Sequence, residues 1–400
     1  EGDAQAFTRF CSGAYAGREH GMDRPMFFTN EESGSGNYDD AGSQVVAVID
    51  GDLYTLPAMG RVARETTAVM PRRDRYTAVM FSEDAGYPSY VYMYVGQKQR
   101  RSASPLDKNG LTGGKVYVLG GDNADAGKNE SSFTSGVMDA QWIEVPNAKD
   151  LNSSEMKLAA DAVGGFAFNR VEDFEFDPAA PTRTCYLGVT GGSRANRLGR
   201  LYRVSFNPRN PVANGSMEVI YNADEIVTPG GTYADAYVGP YFTENGGVEN
   251  AGSYTGGNID AGVDYPVSID NIAVSKDYIL ICEDRNSPAS AVFSKYNRNG
   301  GVWSLDLNNG FAAKYQADFN FSYVEARDGI SPLTAGRWEA SGVIDASSAF
   351  SPGTFIINVQ AHGVDRSNAP NPAGGTLTAS EFNDRYAEDG QIILMRPSAF

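Results

Sequence analysis

Four hundred residues carry 50 Asp and Glu against 33 Lys and Arg, and the resulting formal charge of −17 disfavours nucleic acid and anionic membrane surfaces while suiting hard cations. The hydrophobic share of 41%, with 22 Tyr and 20 Phe, is ample for a large core and excludes a disordered chain. No run approaches the roughly 18 apolar residues that span a bilayer, so no membrane insertion is expected; the start at Glu1 fits a mature secreted chain, periplasmic or extracellular.

Short runs rich in Val, Ile, Tyr and Phe lie between 45 Gly and 19 Pro, the pattern of many strands joined by turns. The first unit runs through Met26-Phe27-Phe28-Thr29-Asn30-Glu31-Glu32, Val45 to Val48 and Leu53 to Leu56. A second comprises Thr77 to Asp84, Ser89 to Tyr94 and Gly114 to Leu119. Residues 120–165 read as an insertion, with a helix expected over Ser153 to Asp161 behind a Ser/Asn cap. A third unit follows in Val171-Glu172-Asp173-Phe174, Thr184 to Thr190 and Gly199 to Val204. Residues 230–264, rich in Gly, Tyr and Asn, read as a second insertion. The fourth unit runs through Ser268-Ile269-Asp270-Asn271, Tyr278 to Asp284 and Gly300 to Leu305; the fifth through Trp338-Glu339-Ala340, Gly353 to Val359 and Gly390 to Met395. A further short helix is expected over Ala379 to Tyr386.

Each unit is an acid-led strand, an apolar strand, a loop and a Gly-initiated strand. Meanders that recur without a fixed period suit propeller blades better than a solenoid. The expectation is an all-β, single β-propeller domain over 1–400 with five to six blades, six favoured. The first strand of a blade lines the central channel, so acids at its mouth end approach the axis. Glu172, Asp173, Asp270 and Glu339 hold that position; Glu31, Glu32, Glu83 and Asp84 end strands of the front units and Glu283 a later one, and Asn271 can add an amide oxygen. Gathered carboxylates repel, and a divalent cation with oxygen ligands relieves the repulsion, so calcium is the expected cofactor. The competing reading is that these acids cap turns and pair with nearby Arg.

Other chemistries fare worse. His20 and His362 are the only histidines and no Gly-x-Ser-x-Gly elbow accompanies them, which disfavours a serine triad. Gly120-Gly121 and Gly191-Gly192 lack the residues of a phosphate loop. Cys11, Cys185 and Cys282 are too scattered for a disulfide framework, and the latter two read as buried thiols. Arg285, after Cys282-Glu283-Asp284, is the candidate for holding a phosphate.

The set Thr29-Asn30-Glu31-Glu32, Val171-Glu172-Asp173, Ile269-Asp270-Asn271-Ile272 with Cys282-Glu283-Asp284, and Trp338-Glu339-Ala340-Ser341-Gly342 with Phe355 to Gln360 resembles the PhoX family of secreted alkaline phosphatases. The resemblance runs from Arg9-Phe10-Cys11 to Gly390-Gln391-Ile392. It implies a propeller, calcium with iron, hydrolysis of phosphomonoesters, and Asn30 at the phosphate. One departure counts against iron: where the family carries a Thr-Cys-Glu-Glu motif, the matching stretch reads Phe81-Ser82-Glu83-Asp84, and a serine replaces a thiolate poorly. The second expectation is therefore a non-catalytic, calcium-stabilised surface or assembly protein, with self-assembly or a surface partner in place of a phosphate ester. A carbohydrate-binding propeller ranks last, because only three Trp are available as platforms.

Overall fold

The structure, a computed structural model, describes residues 6–34, 37–192, 195–224, 265–284, 299–317, 338–361 and 390–396, with 293, 374–375, 378 and four two-residue strands between 227 and 249. It divides into two compact units, residues 1–196 with 200–222 and residues 197–199 with 223–400.

In the first unit, β1 (Phe10–Ala16), β2 (Met26–Glu31), β3 (Val45–Ile49) and β4 (Asp52–Thr55) form an antiparallel meander in chain order. Asp50 and Gly51, both at positive φ (54° and 93°), join β3 to β4 in the two-residue turn that an Asp-Gly pair favours. The second meander contains β5 (Thr67–Val69), β6 (Tyr76–Ser82), β7 (Val91–Gln97), β8 (Lys115–Gly121) and β9 (Gly136–Glu144). The third contains β10 (Val171–Phe176), β11 (Thr184–Val189), β12 (Arg200–Ser205) and β13 (Gly215–Asn222). The outer strands of these two meanders pair, Met138 of β9 opposite Met217 of β13, so nine strands share one ladder in the order β10-β11-β12-β13-β9-β8-β7-β6-β5.

The middle strands of the second meander are buried on both faces, which explains their unbroken apolar runs. Along β6, Val79 and Phe81 enter a core with Phe28, Val45, Tyr92 and Val118, while Ala78 and Met80 enter another with Phe166, Phe174, Leu187 and Tyr202. Within 120–165, β9 completes the meander, and α1 (Ser153–Ala162) forms where the sequence predicts a helix. Its cap is reciprocal: the Asn152 side chain accepts from the Glu155 amide, and the Glu155 carboxylate accepts from the Asn152 amide.

In the second unit, four two-residue strands pair as β14 (Val227–Thr228) with β15 (Thr232–Tyr233) and β16 (Tyr241–Phe242) with β17 (Val248–Glu249); the rest of 230–264 lies outside the described residues. A meander follows in β18 (Ile269–Val274), β19 (Tyr278–Glu283), β20 (Val302–Asp306) and β21 (Ala312–Ala317). The last sheet is β22 (Trp338–Asp345), β23 (Phe355–Ala361) and β24 (Gly390–Met395). Ala273, Leu280 and Cys282 of the former and Ala340, Phe355 and Ile357 of the latter share one core. The fold is thus all-β and of the propeller kind. The five meanders among the described residues coincide with the five repeat units read from the sequence. The helix expected over 379–386 and His362 lie outside the described residues.

Candidate metal centre

The ends of β1, β2, β5, β6 and β10 bring together five side chains of the first unit that could ligate a metal. Cys11, Glu32 and Glu65 each offer a ligand atom within 4.8 Å of the others, and so do Glu65, Asp84 and Glu172. Glu65 belongs to both groups.

Local backbone irregularity aims two of these side chains. In the pairing of β1 with β2 the register shifts between Phe10 and Gly13, and in that of β10 with β11 it shifts between Val171 and Asp173. Cys11 and Glu172 sit at those shifts, where a bulge turns a side chain away from strict alternation. Glu65 lies in the loop ahead of β5, with its main chain held from outside: the Asn30 amide nitrogen donates to the Glu65 and Ser12 carbonyls at 3.1 and 2.8 Å. The Asn30 amide oxygen accepts from the Thr67 hydroxyl at 2.5 Å, so this fully buried amide ties β1, β2 and β5 together at the cluster.

The Cys11 thiol donates to Glu65 Oε1 at 2.6 Å. Burial pushes the Glu65 carboxyl up to about 7, the Cys11 bond opposes the rise, and the charges of Asp84 and Asp173 add to it. Arg170 supplies positive charge, with Nη2 2.7 Å from Glu172 and Nε 3.3 Å from Asp84. Its backbone holds a left-handed φ of 60°, sparsely populated for a side chain of this size. Arg9 pairs with Glu32 from the solvent side, its own side chain 67% exposed.

The other expected residues are placed as follows. Glu83 turns to α1, its Oε1 3.6 Å from Lys157 Nζ, and its buried Oε2 has no partner among the described residues; burial raises its carboxyl, Lys157 opposes and Asp84 adds. Its neighbour Asp84 is the one that joins Glu65 and Glu172. Asp173 is close enough for its charge to act on Glu65. Ser82 is fully buried at the end of β6, so the thiol at this cluster comes from β1 instead.

In the second unit, Asp270 and Glu339 are buried on the first strands of their meanders, as the repeat implied. Asp270 also lies at a register shift, between Ile269 and Ile272. The Asn271 amide oxygen accepts from the Gly342 amide at 2.5 Å and the Ser341 hydroxyl at 3.2 Å, linking β18 to β22. Glu283 accepts from the Val267 and Gly301 amides at 2.8 and 3.0 Å, so both of its oxygens clamp backbone. Arg285 lies outside the described residues.

Sequence reasoning missed Cys11 and Glu65. The first is one of three scattered cysteines, none of which forms a disulfide; the second lies in an Arg-Glu-Thr-Thr loop without repeat context. The available signal was the Phe10-Cys11-Ser12-Gly13 stretch, where small residues and a glycine permit a bulge.

The donors suit cations. Glu65, Asp84 and Glu172 form an oxygen-only set of the kind hard divalent ions take, and Cys11 adds a soft donor at the other end. One Glu83 oxygen is buried without a partner among the described residues, and its carboxyl and that of Asp84 act on each other.

A family model described as alkaline phosphatase PhoX matches residues 53–363, a span that contains Glu65, Asp84 and Glu172, with Cys11 and Glu32 ahead of it. Among solved structures, the chain is similar to Pseudomonas fluorescens PhoX in complex with vanadate, a transition state analogue. The identity is 15%, the TM-score 0.56, and the alignment covers 97% of this chain and 69% of that one. No curated protein matches.

Proposed function

As the chain belongs to the alkaline phosphatase PhoX family, we propose that it is a secreted, metal-dependent phosphomonoesterase whose metals sit on the carboxylate cluster of the first unit. The observation that carries this reading is the pair of three-ligand groups sharing Glu65. Calcium fits the oxygen-only group of Glu65, Asp84 and Glu172, and a thiophilic metal such as iron fits the group that includes Cys11. Bound there, the metals would polarise a phosphoryl oxygen and offset charge developing in the transition state.

The chain's own residues then have separable tasks. Asn30, expected at the phosphate, is retained as a site residue, and its amide, engaged by the Ser12 and Glu65 carbonyls and the Thr67 hydroxyl, supports a positioning role that fixes the Glu65 main chain between β1 and β5. Arg170, within hydrogen-bond reach of Glu172, is placed to exchange a carboxylate for a phosphoryl oxygen when metal takes the carboxylates over. Arg285 is retained as a further anion-binding residue. Asp270 and Glu339 are retained as ligands of the second unit; Glu32, Glu172 and Asp173 belong to the first, with Glu83 at its rim and Glu283 as a backbone clamp. We read the chain as one propeller domain, supported by the single family match that runs across both compact units. A periplasmic or extracellular setting, where calcium is abundant, accords with the charge of −17.

The second reading is a non-catalytic, calcium-stabilised assembly protein, favoured by the way Arg170 already neutralises Asp84 and Glu172. One experiment separates the two. Protein purified without chelator is assayed for metal content and for hydrolysis of a chromogenic phosphomonoester, as wild type and as Glu65→Gln. The proposal expects calcium in the wild type, turnover abolished by chelation, and at least a tenfold loss of both metal affinity and turnover in Glu65→Gln, on the order seen when a metal site loses support. Metal without turnover would transfer the case to the assembly reading, and wild-type metal content in the variant would remove the cluster as the site.

A further inference from the structure

The cations of this acidic chain are gathered at one place in the first unit. The turn between β5 and β6 reads Met70-Pro71-Arg72-Arg73-Asp74-Arg75, and the chain leaving β7 reads Lys98-Gln99-Arg100-Arg101, so these two segments carry six cationic side chains against one acid. Hydrogen bonds join them. The Lys98 amide donates to the Arg75 carbonyl at 2.9 Å, the Lys98 ammonium to the Arg72 and Asp74 carbonyls at 3.4 Å, and Arg100 Nη2 to the Arg73 carbonyl at 3.4 Å. Arg72 and Lys98 are buried as anchors, and Arg72 engages Asp74 through both Nε and Nη2, which occupies the single acid. Burial pulls the Lys98 ammonium down to about 8; Asp74 opposes, and the charges of Arg100 and Arg72 add to the fall.

Arg73, Arg75, Arg100 and Arg101 are left exposed, and among the described residues none of the four has an acid within ion-pair distance. Cations crowded in this way repel, where interspersed signs would have relieved them. The arrangement suits a partner that presents many anionic groups over an area, phosphates above all, which guanidinium groups bind through paired N–H donors.

Placement selects the partner. These segments lie at the opposite ends of β5 and β6 from Glu65 and Asp84, and the seven residues of β6 put about 20 Å between the two ends. The patch therefore does not hand a ligand to the candidate metal centre. The connection from β1 to β2 abuts it: a Cβ on Gly21 would lie 2.4 Å from the Arg72 carbonyl oxygen and 3.0 Å from Arg73 Cα. Tyr15, 59% exposed, leans over that connection, its hydroxyl 2.6 Å from where a Gly17 Cβ would stand, and Phe27, 47% exposed, is its cross-strand partner. Arginines beside exposed aromatic rings match a lipid headgroup layer, which takes the charge on its phosphates and the rings at its apolar boundary. The net charge of −17 does not forbid this, since salt limits its reach to about 8 Å and a bilayer senses the nearest face.

We propose that this end of the first unit docks on an anionic lipid surface, with Arg73, Arg75, Arg100 and Arg101 on headgroup phosphates and Tyr15 and Phe27 within the headgroup layer. Docking is peripheral, and it directs the end that bears Glu65 away from the bilayer. The assignment is independent of the phosphatase reading, because none of these residues belongs to the metal cluster.

The test is flotation of the full chain with phosphatidylcholine vesicles, with and without phosphatidylglycerol. Wild type should float with the anionic vesicles alone, and its partition should fall about fivefold for each arginine replaced by Gln. The variant combining Arg73→Gln, Arg75→Gln, Arg100→Gln and Arg101→Gln should stay in the soluble fraction, although it keeps every metal ligand and so controls for bridging by bound cations. Tyr15→Ser with Phe27→Ser should weaken flotation several-fold at unchanged charge. Flotation with neutral vesicles, no flotation with anionic ones, or a four-arginine variant that binds like wild type would overturn the proposal. An aromatic double variant that binds like wild type would overturn it too, in favour of a soluble polyanion. Sedimentation without vesicles covers the remaining partner: self-association that the four-arginine variant abolishes would assign the patch to a second copy instead.

Discussion

Two carboxyls of the first unit are held protonated near neutrality by burial, and this gives the protein a pH signature. Glu65 and Glu130 are each pushed up to about 7 from an ordinary 4.5. Glu130 is enclosed by the Asn196 amide at 2.9 Å and the Tyr202 hydroxyl at 3.0 Å, with the charge of Arg200 opposing the rise. A carboxyl whose folded value exceeds its unfolded one stabilises the fold fully below 4.5, and that contribution is lost as pH rises through about 7. The metal-stripped protein should therefore melt at a lower temperature at pH near 8 than near 5. Metal binding requires Glu65 to be ionised, so affinity should rise across the same interval. Calorimetry with and without added calcium at the two pH values checks both directions, and a stripped protein more stable at the higher pH would contradict the assignment of Glu65.

Bulges at the acid-bearing ends of the first strands convert a repeat of sequence into a site. The acid-led strands were legible, because alternation, turn residues and a recurring Gly-initiated strand have local causes. The helix over 153–162 was legible for the same reason, its Asn152 and Glu155 lying at capping-box spacing. Glu172 and Asp270 could be singled out because they head repeat strands; Cys11 could not, since its place at the cluster depends on a register shift that two strands create jointly. Glu65 was hidden more deeply: nothing in the sequence states that Asn30, 35 positions away, holds its carbonyl. Close backbone approach sets a further constraint. A Cβ on Gly96 of β7 would lie 1.9 Å from the Gly110 carbonyl oxygen, a contact that neither backbone can relieve without moving. Gly96→Ala should cost about 1–3 kcal/mol in urea denaturation. An unchanged midpoint would show that the β7 margin yields more readily than its packing implies.

At the scale of the whole molecule, 50 acidic residues against 33 basic ones leave a strong self-repulsion that bound cations and salt relieve in parallel. Chelation should lower the melting temperature more at about 0.02 M salt than at about 0.5 M, because screening substitutes for part of what the metals neutralise. Equal drops at both salt levels would locate the metal's contribution in local ligation alone. The ladder between β9 and β13 works on the same scale. Independent blades would confine damage to themselves, whereas here the main chain of one meander completes the next. Strands from Thr67 to Asn222 therefore form a seamless fabric, and a tear started at the β5 margin has no natural place to stop before it reaches the opposite margin, β10, which bears Glu172.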